Sequence, residues 1–378
     1  MAESVFKLRW GILGAGWISG VFVKDIILHP NTRGVTDVIH EFVAIGSRDA
    51  QKAKQWIAEK TGQADHPAKA YGSYEEVVND PEVDAVYIGV PHPGHYDLVV
   101  LALNHGKHVL CEKPCTVNAN ETKALFKLAK EKNLFLMEAM WTRFLPVAQY
   151  IADLVHKGTL GDVKVVHADL SGDFDVANIP LTHRILDPKL GGGALLDLGP
   201  YPMIWAIAAL YEHPSNERTS PSHVSGSILK TPLTGVDEHT SFTLTFDKLA
   251  AQAILSCGIT VSTPNPALVI RCRKGNILVD APIYRPHTVR VQYLEKAGGE
   301  TVEREEVTKW PNGSKEGDNV QGGGWHYQAD EVARCVRDGK IESNVWGSDK
   351  TILQMEVFDE VRKQGGLLYP EGTEKVPM

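Results

Sequence analysis

The stretch Gly11-Ile12-Leu13-Gly14-Ala15-Gly16-Trp17-Ile18-Ser19 decides how the rest of this chain is read. An apolar run, Leu8 to Leu13, leads into it, glycines follow at Gly14 and Gly16, and a helix-compatible segment, Ile18 to Leu28, leaves it. Strand, tight glycine turn and helix N-terminus are the layout that binds a pyrophosphate, because unpaired N–H groups and the positive end of the helix dipole attract the anion. A Cβ at Gly14 or Gly16 would obstruct the turn or the approach of the phosphates. Trp17 and Ile18 open the helix and join the candidate cofactor contacts. The third position carries Ser19 rather than glycine. That breaks the strict pattern but keeps a small residue where helix and strand pack closely. By itself the near-match also fits an ordinary strand–turn–helix.

The segments beyond Leu28 favour the ligand-binding reading. Short apolar segments (Leu8–Leu13, Glu41–Gly46, Ala85–Val90, His108–Cys111, Leu134–Glu138) alternate with helical ones (Ser19–Leu28, Ala50–Glu59, Ser73–Asn79, His95–His105, Ala119–Lys130). That alternation predicts βαβ units and a doubly wound parallel sheet of the Rossmann type over residues 1–145. Residues 146–378 read differently. After a helix at Pro146–Lys157, strands dominate, several with a period of two, as in Phe242-Thr243-Leu244-Thr245-Phe246. They predict an α+β domain with a large, mostly antiparallel open sheet. Two helices near Trp325–Arg337 and Ser348–Gln364 close the chain, the last one able to pack back on the first domain. The fold class is therefore α/β.

Composition narrows the function. The chain has 378 residues, 43% of them hydrophobic and 23% charged, with a formal net charge of −8. No basic stripe supports nucleic-acid or anionic-membrane binding. No signal-peptide pattern opens the sequence, and no apolar run is expected to approach membrane-spanning length. Five scattered cysteines fit reduced thiols and a cytoplasmic protein.

The end of the second strand, Gly46-Ser47-Arg48-Asp49, speaks to the cofactor. An acidic residue at this tip typically grips the 2′-hydroxyl of NAD. Here Ser47 and Arg48 offer a hydroxyl and a guanidinium fork suited to a 2′-phosphate, and Asp49 reads as the cap of the next helix. NADP is favoured, with NAD the secondary choice. Arg48 also fits a solvated surface arginine.

Two further stretches carry chemistry. Cys111-Glu112-Lys113-Pro114 lies at the carboxyl end of a parallel strand, where ligand crevices form. Lys113 suits acid–base or electrostatic work there, or a salt bridge with Glu112 or Glu138. The run Gly191-Gly192-Gly193-Ala194-Leu195-Leu196-Asp197-Leu198-Gly199-Pro200-Tyr201-Pro202 permits close backbone passage past a ligand. Asp197 and Tyr201, four apart, would share a helix face, and Pro200 and Pro202 fit only near a helix start. A tyrosine near a lysine ammonium has a lowered pKa and can exchange a proton with a substrate hydroxyl. Tyr201 equally fits a core aromatic with a polar handle.

These motifs, with Pro91-His92-Pro93-Gly94-His95, Trp141-Thr142-Arg143-Phe144 and Tyr327-Gln328-Ala329-Asp330-Glu331, occur in register over nearly the whole chain. Together they resemble the glucose–fructose oxidoreductase / inositol dehydrogenase / dihydrodiol dehydrogenase family. The Met137–Phe144 segment and Tyr201 are most similar to the branch holding dihydrodiol and NADP-dependent D-xylose dehydrogenases. The resemblance implies that Lys113 and Tyr201 are catalytic, with Asp197 orienting tyrosine or substrate. It implies cofactor contacts from Pro91, His95, Glu112 and Lys113. Substrate contacts would come from Lys113, Trp141, Arg143, Arg184, Asp197 and Tyr201, and the second sheet would pair two subunits into a homodimer.

No metal is expected, since His95 and His105 fall at opposite ends of one helix. The expected activity is hydride transfer from the anomeric carbon of an aldose such as D-xylose to NADP, giving a lactone. The alternatives are oxidation of a trans-dihydrodiol or reduction of a dicarbonyl at the same site, and a non-catalytic NADP(H)-binding regulator.

Overall fold

In the computed structural model, which describes residues 5–378, the opening apolar run is the third strand of a six-stranded parallel sheet. Its elements are β1 (Phe6–Leu13), α1 (Trp17–Ile26), β2 (Val38–Gly46), α2 (Ala50–Thr61), β3 (Lys69–Tyr71), α3 (Tyr74–Asn79), β4 (Ala85–Ile88), α4 (His95–Asn104), β5 (His108–Glu112), α5 (Ala119–Lys132) and β6 (Leu136–Ala139). The order β3-β2-β1-β4-β5-β6 reverses between β1 and β4, which opens a crevice at their carboxyl ends. Leu8, Trp10, Ile12 and Leu13 of β1 are fully buried, as a strand covered on both faces requires. Strand β3 leaves no trace in the sequence pattern, because its three residues carry no measurable period.

The second sheet has eight strands. Its elements are α6 (Pro146–His156), β7 (Val163–Ser171), α7 (Ala194–Asp197), α8 (Pro200–Ala206), β8 (His223–Lys230), β9 (Asp237–Phe246), β10 (Ala251–Gly258), β11 (Leu268–Cys272), β12 (Gly275–Val279), β13 (Thr288–Leu294) and β14 (Val302–Lys309). The order is β14-β13-β12-β11-β7-β10-β9-β8, antiparallel except for β7 with β10. Phe242, Leu244 and Phe246 are at most 2% exposed and belong to the core; the Phe242 ring meets Phe358 edge-on at 6.1 Å. The other face presents Ser241 and Thr243 of β9 with Gln252, Ile254 and Ser256 of β10.

The chain closes with α9 (His326–Arg337) and α10 (Ser348–Gly365). Compact units do not follow a single cut at residue 145. Asn319–Ile352 and Lys375–Pro377 group with Met1–Trp141, while Thr142–Asp318 and Leu353–Glu374 form the second unit. The physical reason lies in α9. Its Asp330 takes a two-pronged bond from Arg33 (2.8 and 2.6 Å) and accepts from His40 Nε2 at 2.9 Å, all buried. Trp10 Nε1 donates to the other nitrogen of His40 at 3.1 Å, which fixes the tautomer. Burial works against the Asp330 charge, but Arg33 and His40 outweigh it and lower the pKa.

One expectation about membranes is corrected. Pro188–Tyr211 is long and apolar enough to cross a bilayer. The segment is nonetheless broken into short helical pieces, and 94% of its apolar window is buried.

Candidate active site

The glycine turn is built as a cradle. Gly14 has φ of +105°, and a Cβ there would lie 2.8 Å from Val90 and 2.9 Å from the Gly89 carbonyl, so the turn itself demands glycine. At Gly16 a Cβ would meet only the Gly89 carbonyl, at 3.4 Å, an ordinary contact. The protein alone does not need glycine at that point, which leaves room for a ligand against the backbone. Gly16 caps α1 without a side-chain bond, so the first-turn N–H groups keep their capacity for an anion. Trp17, 75% exposed, stands at the start of α1. Ser19 is fully buried, and a Cβ on Gly89 would come within 2.3 Å of its hydroxyl. The small third residue therefore sets the close approach of α1 to β4.

At the end of β2, Ser47 is half-buried and Arg48 exposed. Asp49 caps α2 by accepting from the N–H groups of Gln51 (2.9 Å) and Lys52 (3.2 Å). Its carboxylate serves the helix, as its position in the sequence implies.

Lys113 follows β5 on a turn held by buried ionisable groups. Glu112 accepts from the Tyr87 hydroxyl at 2.5 Å and from the Lys113 N–H at 3.1 Å. Burial pushes the Glu112 carboxyl up to about 7, against the opposing pull of Tyr87 and Lys113. Glu138 of β6 accepts from the Cys115 N–H at 3.0 Å and from Trp346 Nε1 at 2.9 Å. His95 is fully buried, with Nδ1 2.9 Å from the Pro114 carbonyl and Nε2 2.8 Å from the Val90 carbonyl. Burial pulls the His95 pKa down. The side chains of Glu112 and His95, both expected as cofactor contacts, bond to protein groups: the Tyr87 hydroxyl and Lys113 N–H for Glu112, the Val90 and Pro114 carbonyls for His95. Pro91, by contrast, is exposed on the loop after β4. Tyr87 and Trp346 escape a reading of the sequence, where neither stands in a motif.

Trp141 is 3% exposed and stacks on Trp325, ring centroids 4.0 Å apart. Asp25 of α1 fixes that partner by accepting from the N–H groups of Gly323 and Trp325, both at 2.8 Å.

In the second unit, Arg143 is 6% exposed and gives Nε and Nη2 to Glu212 at 3.1 and 2.9 Å. This guanidinium, expected as a substrate contact, is held in a buried ion pair. Asp197 and Tyr201 do not share one helix. Asp197 ends α7, and Tyr201 lies in the first turn of α8, with Gly199 and Pro200 between the two residues. Pro200 has no N–H to continue α7 and starts α8 instead. Arg184 Nη1 pairs with Asp197 Oδ1 at 2.9 Å. Burial disfavours the Arg184 charge, but Asp197 and Tyr201 outweigh it and raise its pKa. The Tyr201 ring centroid lies 5.6 Å from that of Tyr284. Arg184, Asp197 and Tyr201 therefore form one electrostatic group.

The glycine run approaches the protein itself, not open space. A Cβ on Gly193 (φ +111°) would fall 1.9 Å from Asp237 Oδ1, and one on Gly192 would meet the carbonyls of Arg184, Ile185 and Asp187 at 2.9–3.0 Å. Asp237, which sequence reasoning missed, is fully buried; its Oδ2 accepts from the Leu195 N–H at 2.6 Å and the Thr240 hydroxyl at 2.9 Å. It caps α7 from below. Among the described residues, no three His, Cys, Asp or Glu side chains gather as a metal ion would need.

Residues 8–140 match the GFO/IDH/MocA oxidoreductase family with NAD-binding Rossmann fold, and residues 148–278 match the C-terminal domain of the same family. The chain is 39% identical to D-xylose 1-dehydrogenase (NADP+) of Hypocrea jecorina over 97% of this chain and 94% of that protein. It is 34% identical to human trans-1,2-dihydrobenzene-1,2-diol dehydrogenase over 96% and 98%. An NAD-binding oxidoreductase from Klebsiella pneumoniae shares the fold with a TM-score of 0.78 at 20% identity, covering 96% of this chain and 97% of that one. A nucleotide cradle ending one sheet strand, a lysine turn beside it and two family matches in sequence order lead to one conclusion: the chain belongs to the GFO/IDH/MocA oxidoreductase family.

Proposed function

We propose that this protein is an NADP-dependent dehydrogenase that oxidises the anomeric carbon of an aldose, D-xylose or a close relative, to a lactone. The observation that carries the reading is the 39% identity with a D-xylose 1-dehydrogenase (NADP+) along 97% of the chain, joined to the Ser47-Arg48 tip where an acidic residue would select NAD. Gly14, Gly16, Trp17 and Ile18 hold the pyrophosphate side, Ser47 and Arg48 the 2′-phosphate, and Pro91 and Lys113 the reactive half. Bound there, NADP would supply the hydride acceptor. Tyr201 takes the hydroxyl proton, with Asp197 and Arg184 setting its electrostatic surroundings, and Lys113 supplies positive charge to the reacting oxygen. The Asp197–Arg184 pair at 2.9 Å supports an orienting role for Asp197.

The 34% identity with trans-dihydrodiol dehydrogenase favours a second reading, a trans-dihydrodiol or dicarbonyl substrate on the same residues. One experiment separates the two: NADP reduction against aldoses, polyols and trans-dihydrodiols, with Lys113→Ala, Tyr201→Phe and Arg48→Ala beside wild type. Turnover of D-xylose that falls at least about 100-fold in the first two variants supports the proposal. Unchanged rates overturn the catalytic assignment, and an NADP-to-NAD preference untouched by Arg48→Ala overturns the role of that residue.

A homodimer through the outer face of the eight-stranded sheet completes the proposal. Ile254 is 41% and Leu229 60% exposed on that face, and sedimentation as a monomer refutes it. The five cysteines, all free and buried, support a reducing compartment, the cytoplasm; fractionation tests it.

A further inference from the structure

His95 stands where two turns of the first unit meet. One is the loop that leaves β4, whose Val90 packs on the glycine turn: a Cβ on Gly14 would lie 2.8 Å from the Val90 side chain. The other is the Lys113-Pro114 turn that leaves β5. The His95 ring spans them, 2.8 Å from the Val90 carbonyl and 2.9 Å from the Pro114 carbonyl. The contact with the Pro114 carbonyl is buried, whereas that with the Val90 carbonyl lies at the edge of the buried region, and the ring between them is fully enclosed. The Pro114 carbonyl also belongs to the residue next to Lys113, so its position sets where the lysine leaves the backbone. Glu112 and Glu138 fix the two N–H groups of the same turn, those of Lys113 and Cys115. The imidazole is the member of this set that reaches toward the glycine turn.

We infer that His95 is a positioning residue: it couples the glycine turn, through Val90, to the placement of Lys113, without touching substrate or cofactor. The nucleotide cradle and the lysine are then one mechanical assembly, and a ligand pressing on Val90 is felt at Lys113. The turnover arm of the test rests on the reading of Lys113 as an active-site lysine; the exchange arm does not.

Two variants of the full chain test it. His95→Phe keeps a flat ring and removes both ring nitrogens; His95→Gln keeps a side-chain N–H group that can still donate to a carbonyl but loses the rigid ring that spans the two. Amide hydrogen exchange is followed over residues 111–117, NADPH binding by fluorescence, and kcat and KM with whichever aldose or diol the wild type oxidises. The expected result for His95→Phe is exchange over 111–117 faster by about tenfold and kcat lower by about tenfold or more, with substrate KM within about threefold of wild type. His95→Gln should fall between. If His95→Phe does not fold, the Gln variant carries the same comparison with smaller changes. Unchanged exchange overturns the inference, as does a kcat that holds while KM or NADPH affinity collapses. A wild type that oxidises nothing defeats the proposed function but not the coupling, which exchange still decides.

Discussion

Replacing Glu112 by glutamine should change how stability depends on pH. The folded carboxyl is pushed by burial up to about 7, from an ordinary value of 4.5. Between these two values the folded chain holds a proton that the unfolded chain has released, so stability falls as pH rises through that window. At 1.36 kcal/mol per pH unit the full loss is about 3 kcal/mol, complete above pH 7 and absent below pH 4.5. Glu112→Gln removes this titration. Its amide offers one acceptor where Glu112 meets two donors, the Tyr87 hydroxyl and the Lys113 N–H, at a pH-independent cost of about 1–2 kcal/mol. The variant should therefore be less stable than wild type at pH 5 and equal or more stable at pH 8. Urea denaturation of the cofactor-free protein at half-unit steps, with the slope held common, measures the crossing. A stability difference that stays constant from pH 5 to 8 would show that Glu112 remains charged in its buried site and would refute the reasoning.

Gly193→Ala should destabilise the second unit by about 3 kcal/mol or more, since the new methyl meets Asp237 at 1.9 Å on a backbone of positive φ; thermal denaturation reads it. Asp237, raised by burial to about 6 from 3.8, should cost the fold about 3 kcal/mol as pH rises through that window, and Asp237→Asn should flatten that step in the same urea series. Arg143→Met should lower stability by about 3–5 kcal/mol by removing the guanidinium from its buried pair with Glu212, and adding Glu212→Leu should recover most of the loss; failure of the double variant to recover would deny that the pair acts as a unit.

The pattern-bearing parts of the fold are readable because period and punctuation reinforce each other. In Leu8–Ile26, an apolar run, two glycines and a small third residue occupy positions that only a strand–turn–helix satisfies. The alternation in Phe242–Phe246 likewise names the strand and leaves open what its apolar face meets; the core takes it. The candidate site is readable where chemistry follows backbone position: Lys113 after a parallel strand, Arg48 at a strand tip, Asp49 as a cap. It is unreadable where a side chain's task depends on a distant partner. Nothing near Arg143 in sequence announces Glu212, and nothing near Gly193 announces Asp237. Glu112 and His95 stand in motifs expected to face the cofactor, and the protein groups that their buried side chains bond, Tyr87 and the Val90 and Pro114 carbonyls among them, are not announced by those motifs. Asp197 and Tyr201 keep their spacing but lose the shared helix to Pro200.

The Arg33–Asp330–His40 network also imposes an order on synthesis. Residues up to Trp141 supply a complete parallel sheet, yet Arg33 and His40 lie buried against a carboxylate that belongs to α9. At roughly 5–20 residues per second, a ribosome needs on the order of 10–40 s to pass from Trp141 to the segment beginning at Asn319. For that interval the nascent first unit carries an unanswered guanidinium and an uncovered flank on β1 and β2. The first unit to be translated is thus the one that must wait, and its fold is sealed only when most of the second has already been made.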